Sequence, residues 1–178
     1  MIKEIIGQGV GIVAMAFIIL SYQPKTQKNI FLLQFIGSAL FSINFFLLEA
    51  YVGAYLNVIG LLRGLAFYFK EKTKADKWYM ILILCLLFAV GYPLTFTIFG
   101  KPFNLLNAVI EILPVIAMIV ATFSFATKEA KTLRKLSLVC SPCWLIYDAV
   151  SLSVGGVICE VLSLMSIITA IIRHDIKK

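Results

Sequence analysis

The chain has 178 residues, 61% of them hydrophobic and 14% charged, and carries a net charge of +7. Soluble domains run near about 45–50% apolar and about 25% charged, so a mean hydropathy of +0.99 leaves too little polar surface to wet a folded core. A soluble enzyme domain is excluded, and the composition predicts an all-α polytopic membrane protein forming one membrane domain over 1–178.

Each span needs roughly 20 apolar residues, and seven such stretches follow in chain order: 5–24, 29–48, 52–70, 77–99, 104–125, 133–152 and 155–173. The first follows Lys3 and ends in Ser21-Tyr22-Gln23-Pro24-Lys25 with no small-residue cleavage site, which predicts a retained helix rather than a signal peptide. Lys70, Lys72, Lys74 and Lys77 separate the third stretch from the fourth, and Gly100-Lys101-Pro102 divides the fourth from the fifth. The sixth is entered through Lys128, Lys131, Arg134 and Lys135. Gly155-Gly156 opens the seventh, and His174 sits at its far end. Backbone groups must be satisfied internally in lipid, and the alternation of an outer-membrane barrel strand is missing, so all seven are expected as helices.

The basic residues fix an expected orientation. With the N-terminus outside, thirteen of the sixteen Lys and Arg fall on the inner side; only Lys3 and Lys101 fall outside, and Arg63 lies within a span. Positive charge is retained on the cytoplasmic side, so the C-terminus is expected in the cytoplasm of a bacterial cell, with the chain in its inner membrane. The charge does not form a nucleic-acid-binding stripe.

Sliding the sequence along itself by 103 residues pairs Ser21 with Ser124, Lys25 with Lys128, Ser38 with Ser141, Gly53 with Gly156 and Lys70 with Arg173. One ungapped shift keeps apolar stretches, basic loops and Gly turns in phase. It predicts a triple-helix repeat over 5–70, a linker helix over 77–99 and a second triplet over 104–173. This 3+1+3 parallel layout belongs to transporters whose solute sits between the repeats near the midplane.

Four charged residues lie within the apolar stretches, clear of their first and last turns: Arg63, Glu111, Asp148 and Glu160. Such groups are costly in lipid and usually face a bundle interior or a water-filled path. Arg63 is expected to pair with a carboxylate or to snorkel. Glu111, the repeat mate of Gln8, is expected as an outer-side polar contact or gate group. Asp148 is expected near the outer end of its helix, within reach of water. Pro114 and Pro142 remove helix hydrogen bonds in mid-span, as a hinge or a static kink. Cys140-Ser141-Pro142-Cys143 has the spacing of a redox dithiol, but it lies inside an apolar span and Cys85 and Cys159 are isolated, so packing cysteines are expected. A lone C-x-x-C does not make a zinc site, and no metal or cofactor is expected.

Trp144-Leu145-Ile146-Tyr147, followed sixteen positions after the Trp by Glu160, resembles the second-to-third helix segment of the SWEET and SemiSWEET sugar transporters, which carry an Asn at that interval. Phe41 and Asn57 repeat the interval in the first half. Ser21-Tyr22-Gln23-Pro24-Lys25 resembles the PQ-loop of that superfamily with its dipeptide reversed, and Ala126-Thr127 stands there in the second half. Leu113-Pro114-Val115-Ile116, Cys143-Trp144, Gly155-Gly156, Glu160 and Asn57 give nearly the whole chain a likeness to the YgjV-type bacterial inner-membrane proteins.

The SWEET resemblance implies a seven-helix bundle that moves a small polar solute, such as a sugar, by alternating access. It implies that Asn57 and Glu160 flank the solute across a pseudo-twofold axis, with Ser38 and Trp144 lining the cavity and the prolines serving as hinges. Trp supplies a flat apolar face with one donor, and Asn supplies a donor and an acceptor. Glu160 departs from the family's Asn, and a carboxyl there can carry a proton or bind a cationic solute. The alternatives are a vitamin-precursor carrier of the nicotinamide riboside type, a non-transporting receptor or assembly factor, and a membrane thiol oxidoreductase. The expected partners are the lipid bilayer, a small solute and, as an open option, further copies of the chain.

Overall fold

A computed structural model describes residues 2–21, 27–127 and 130–172, and these are helical apart from short connections. Seven long helices carry the chain: α1 (Ile2–Ser21), α2 (Gln27–Leu47), α3 (Tyr51–Tyr68), α5 (Trp78–Thr97), α6 (Leu105–Ala126), α7 (Ala130–Val150) and α8 (Val154–Ile171). The short α4 (Lys70–Thr73) was not anticipated from the sequence; it turns part of the lysine-rich connection after α3 into one helical turn. Three helices, α1, α5 and α6, meet both the length and the apolarity needed to cross a bilayer. The bundle wears its apolar residues on the outside, with Ile5, Val13, Leu86, Val90, Leu105 and Met165 all exposed. That surface is stable only where lipid replaces water. Trp78, 75% exposed, stands next to Lys77 at the start of α5, the position of an interfacial anchor.

Moving α2 along the chain by 103 residues reproduces the bounds of α7, moving α3 reproduces those of α8, and moving the start of α1 reproduces that of α6. The corners agree atom by atom. Leu48 N–H donates to Asn44 O, Glu49 to Phe46, Ala50 to Phe45 and Ala54 to Ala50; Ser151 donates to Tyr147, Leu152 to Ala149, Ser153 to Asp148 and Val157 to Ser153. Every one of these pairs is displaced by 103. Glu49 and Leu152, also 103 apart, both take left-handed backbone with φ of 61° and 55°.

Packing follows the same pattern. α2 lies against α1 and α3, α7 lies against α6 and α8, and the circuit is closed by α1 on α8 and α3 on α6. α5 sits outside this ring against α3 and α6. Phe88 and Leu84 of α5 bury into a core with Val52, Leu56, Ile59, Val115 and Met118. Where α1 meets α8 the backbones nearly touch, and a Cβ on Gly155 would stand 2.4 Å from the carbonyl carbon of Gly11. Only glycine permits that approach. α6 and α7 run unbroken through Pro114 and Pro142, and α5 holds a third internal proline, Pro93. The Gln23-Pro24 turn, Lys25, Lys128, Arg173, His174, Lys177 and Lys178 lie outside the described residues.

Candidate functional site

The ring encloses a cavity of about 520 Å³. Its wall is built mainly from α2, α3, α6, α7 and α8, with Ile18 as the contribution of α1. All four expected contact residues line it: Ser38 on α2, Asn57 on α3, Trp144 on α7 and Glu160 on α8. Arg63 and Asp148 line it as well, whereas Glu111, Pro114 and Pro142 do not. α6 supplies Met118, Ala121, Ser124 and Phe125, with its C-cap Thr127 alongside, a contribution the spacing of motifs did not suggest.

The cavity is closed at one end. Phe45 of α2 stacks on Trp144 of α7 with ring centroids 5.9 Å apart and meets Tyr147 edge-on at 5.8 Å. Beyond these rings lies a layer of buried polar contacts. Asn44 donates to Gly7 O at 2.8 Å and accepts from the Ser153 hydroxyl at 2.9 Å, while the Gly53 N–H donates to the Tyr147 hydroxyl at 2.8 Å. At the exposed edge of this layer, Gln8 donates to Leu152 O at 2.6 Å and accepts from Val154 N–H at 3.0 Å. Ala50, the N-cap of α3, offers no side-chain acceptor, so Tyr147 supplies one from α7. Ser153 caps α8 in the ordinary way by accepting from Gly156 N–H. Asn44 and Tyr147 are 103 residues apart, and each braces the start of the other half's last helix. At the opposite end the lining runs to Thr127, the C-cap of α6, and to Arg134 near the start of α7.

Asn57 donates its side-chain N–H to Gly53 O one turn back at 2.9 Å, which sets the orientation of its amide. The Ser141 hydroxyl lies within hydrogen-bonding reach of the Glu160 carboxyl, which is half-buried in the wall. Arg63 corrects an expectation. Instead of a carboxylate or the interface, its guanidinium takes Met118 O at 3.1 Å and Thr122 Oγ1 at 3.4 Å. It also lies 4.5 Å from the Phe125 ring centroid and 5.3 Å from that of Phe88. A carbonyl, a hydroxyl and two π-faces offset part of the loss of hydration, while Nε lies buried without an acceptor. Asp148 is a second correction: it is 2% exposed, shielded from bulk water and turned to the cavity. Glu111 is buried and ion-paired with Lys101, which joins the loop after α5 to α6 away from the cavity. The Cys140 thiol donates to Ala117 O, and all four cysteines are free.

A family model described as Imp-YgjV, bacterial inner membrane protein, matches residues 5–178. The chain is 26% identical over 155 residues to inner membrane protein YgjV of Escherichia coli (strain K12), covering 87% of this chain and 76% of that protein. No solved structure matches the chain.

Proposed function

The chain belongs to the Imp-YgjV family of bacterial inner membrane proteins, and from that premise we propose that it carries a small polar solute across the inner membrane by alternating access. In this mechanism all seven long helices span the bilayer. α1–α3 and α6–α8 form the two triplets of a 3+1+3 bundle with α5 as linker, the N-terminus is outside and the C-terminus is cytoplasmic. The matched helix bounds and matched corner hydrogen bonds support the two-triplet reading.

One observation carries the proposal: a cavity at the ring axis, sealed by rings at one end and lined by Asn57 and Glu160 from equivalent positions of the two triplets. With the basic loops in the cytoplasm, the cavity reaches toward the cytoplasmic side and the aromatic seal faces outward. Asn57, Ser38, Trp144 and Glu160 would contact the solute. Opening the other way requires Phe45 to part from Trp144 and the polar layer around Asn44 and Tyr147 to separate. A carrier of this kind needs no cofactor and makes no covalent bond.

Spin labels on Glu49→Cys and Leu152→Cys, in a chain whose four native cysteines are replaced by serine, test the motion. Both labelled positions are exposed at the sealed end. Alternating access predicts two distance populations whose ratio responds to pH or to added solutes. One narrow population under every condition would instead favour a static receptor on the same fold.

A further inference from the structure

The sealed end of the cavity is acidic. Asp148 lies one helical turn beyond Trp144 on α7, buried, with Oδ1 lacking a hydrogen-bond partner. Its carboxyl sits against Gly156 of α8, where a Cβ would stand 2.5 Å from the Asp148 carboxyl carbon. Glu160 follows Gly156 by four residues and so stands about one helical turn further along the same face of α8. Of the cavity's cations, Arg63 is engaged with Met118 O, Thr122 and two rings, and Arg134 stands at the opposite end. Phe41, Phe45 and Trp144, a stacked series with centroids 6.0 and 5.9 Å apart, line the same cavity. Two carboxyl groups beside aromatic faces form the recognition chemistry of an organic ammonium ion.

We propose, resting on the carrier reading, that the solute is a small organic cation whose charge sits between Asp148 and Glu160 against Trp144 and Phe45. Asp148 thereby becomes a binding residue. The role of Gly156 is to let the Asp148 carboxyl reach the cavity wall. A neutral polyol would leave the buried Asp148 oxygen without a charged partner, whereas a cation supplies one to both carboxyl groups at once. The aromatic faces favour a methylated or ring-bearing ammonium over a bare metal ion.

The test uses the full-length chain in detergent with Trp78→Phe, so that Trp144 is the only tryptophan reporter. The probes are tetramethylammonium, choline and phenyltrimethylammonium, set against 3,3-dimethylbutan-1-ol as the neutral isostere of choline, glucose, and sodium chloride at equal ionic strength. The cations are expected to change Trp144 fluorescence saturably and to raise the melting temperature, with the controls doing neither. Asp148→Asn is expected to weaken cation binding by about tenfold or more, as loss of one partner in a buried charge contact does. If Asp148→Asn does not fold, Glu160→Gln gives the same readout from the half-buried neighbour. Equal responses to choline and its isostere, a response to glucose or sodium alone, or no response to any cation in protein with an unchanged melting transition would each overturn the proposal. Those outcomes leave the carrier reading intact, since it is judged separately by the spin-label distances.

Discussion

The Tyr147 hydroxyl accepts a 2.8 Å hydrogen bond from the backbone N–H of Gly53, 94 residues earlier in the chain. Gly53 is the third residue of α3, and its N–H has no partner within its own helix. A Cβ at Gly53 would lie 2.9 Å from the Tyr147 ring, so the absent side chain and the phenol fit each other. The contact ties the second half of the molecule to the first at the sealed end of the cavity. Tyr147→Phe keeps the ring and removes the acceptor. The expected cost is about 1–3 kcal/mol, the penalty for a buried donor left unsatisfied, read as a lower melting temperature of the purified protein.

Gly155 and Gly9 form a matched pair of substitutions. A Cβ at Gly155 would collide with the Gly11 backbone, while one at Gly9 meets nothing within 4 Å. Gly155→Ala is therefore expected to force α1 and α8 apart and lower the melting temperature by several degrees. Gly9→Ala is expected to hold or raise it, since alanine favours helix by about 1 kcal/mol. Thermal unfolding of the two variants side by side settles the difference, and equal behaviour would place the α1–α8 contact elsewhere.

Lys101 and Glu111 are ion-paired across the connection from α5 to α6, with the Glu111 side chain 3% exposed and Lys101 36% exposed. Removing the lysine strands a buried carboxylate. Lys101→Ala should cost on the order of 3 kcal/mol, and adding Glu111→Gln to it should recover part of the loss. A double-mutant cycle by thermal or denaturant unfolding measures this coupling, and strict additivity of the two changes would show that the pair contributes no net stability.

Arg63 makes its contacts through carbonyl, hydroxyl and ring faces, a geometry suited to a planar guanidinium. Lysine in its place keeps the charge but loses the guanidinium's contacts with the Phe88 and Phe125 rings. Arg63→Lys is expected to destabilise by about 1–2 kcal/mol, and Arg63→Met is expected to be tolerated at least as well, because an apolar chain leaves no buried charge. Melting temperatures in the order wild type, then Met, then Lys check this, and a lysine variant as stable as wild type would contradict it.

Much of the fold was legible because the bilayer fixes the length of an apolar helix, and the expected boundaries fall within a few residues of the observed ones. The shift of 103 was legible from pairs such as Ser38–Ser141 and Gly53–Gly156, and the corners where those glycines lie have matching hydrogen bonds. The polar seal was not. Asn44 is fully buried and bridges Gly7 to Ser153, yet its partners lie 37 and 109 residues away, distances that no local pattern encodes. One signal for it was present: an Asn within an apolar stretch, 103 residues before Tyr147. Asp148 was misread because its position near a helix end suggested water, whereas the tight approach of Gly156 turns it inward. Arg63 was misread because charge was expected to seek charge, and a buried carbonyl, a hydroxyl and two rings take its guanidinium instead.

The central claim is that the cavity is a solute path open toward the cytoplasm. Cys140 lines it on the cavity side of the aromatic rings, one turn before Trp144. In membrane vesicles of known sidedness, a chain keeping Cys140 alone, with Cys85, Cys143 and Cys159 replaced by serine, is treated with a membrane-impermeant maleimide from either face. Labelling from the cytoplasmic face that is blocked when Ser38→Trp fills the cavity is the predicted result. No labelling from either face, in protein that labels fully once unfolded, would contradict the account.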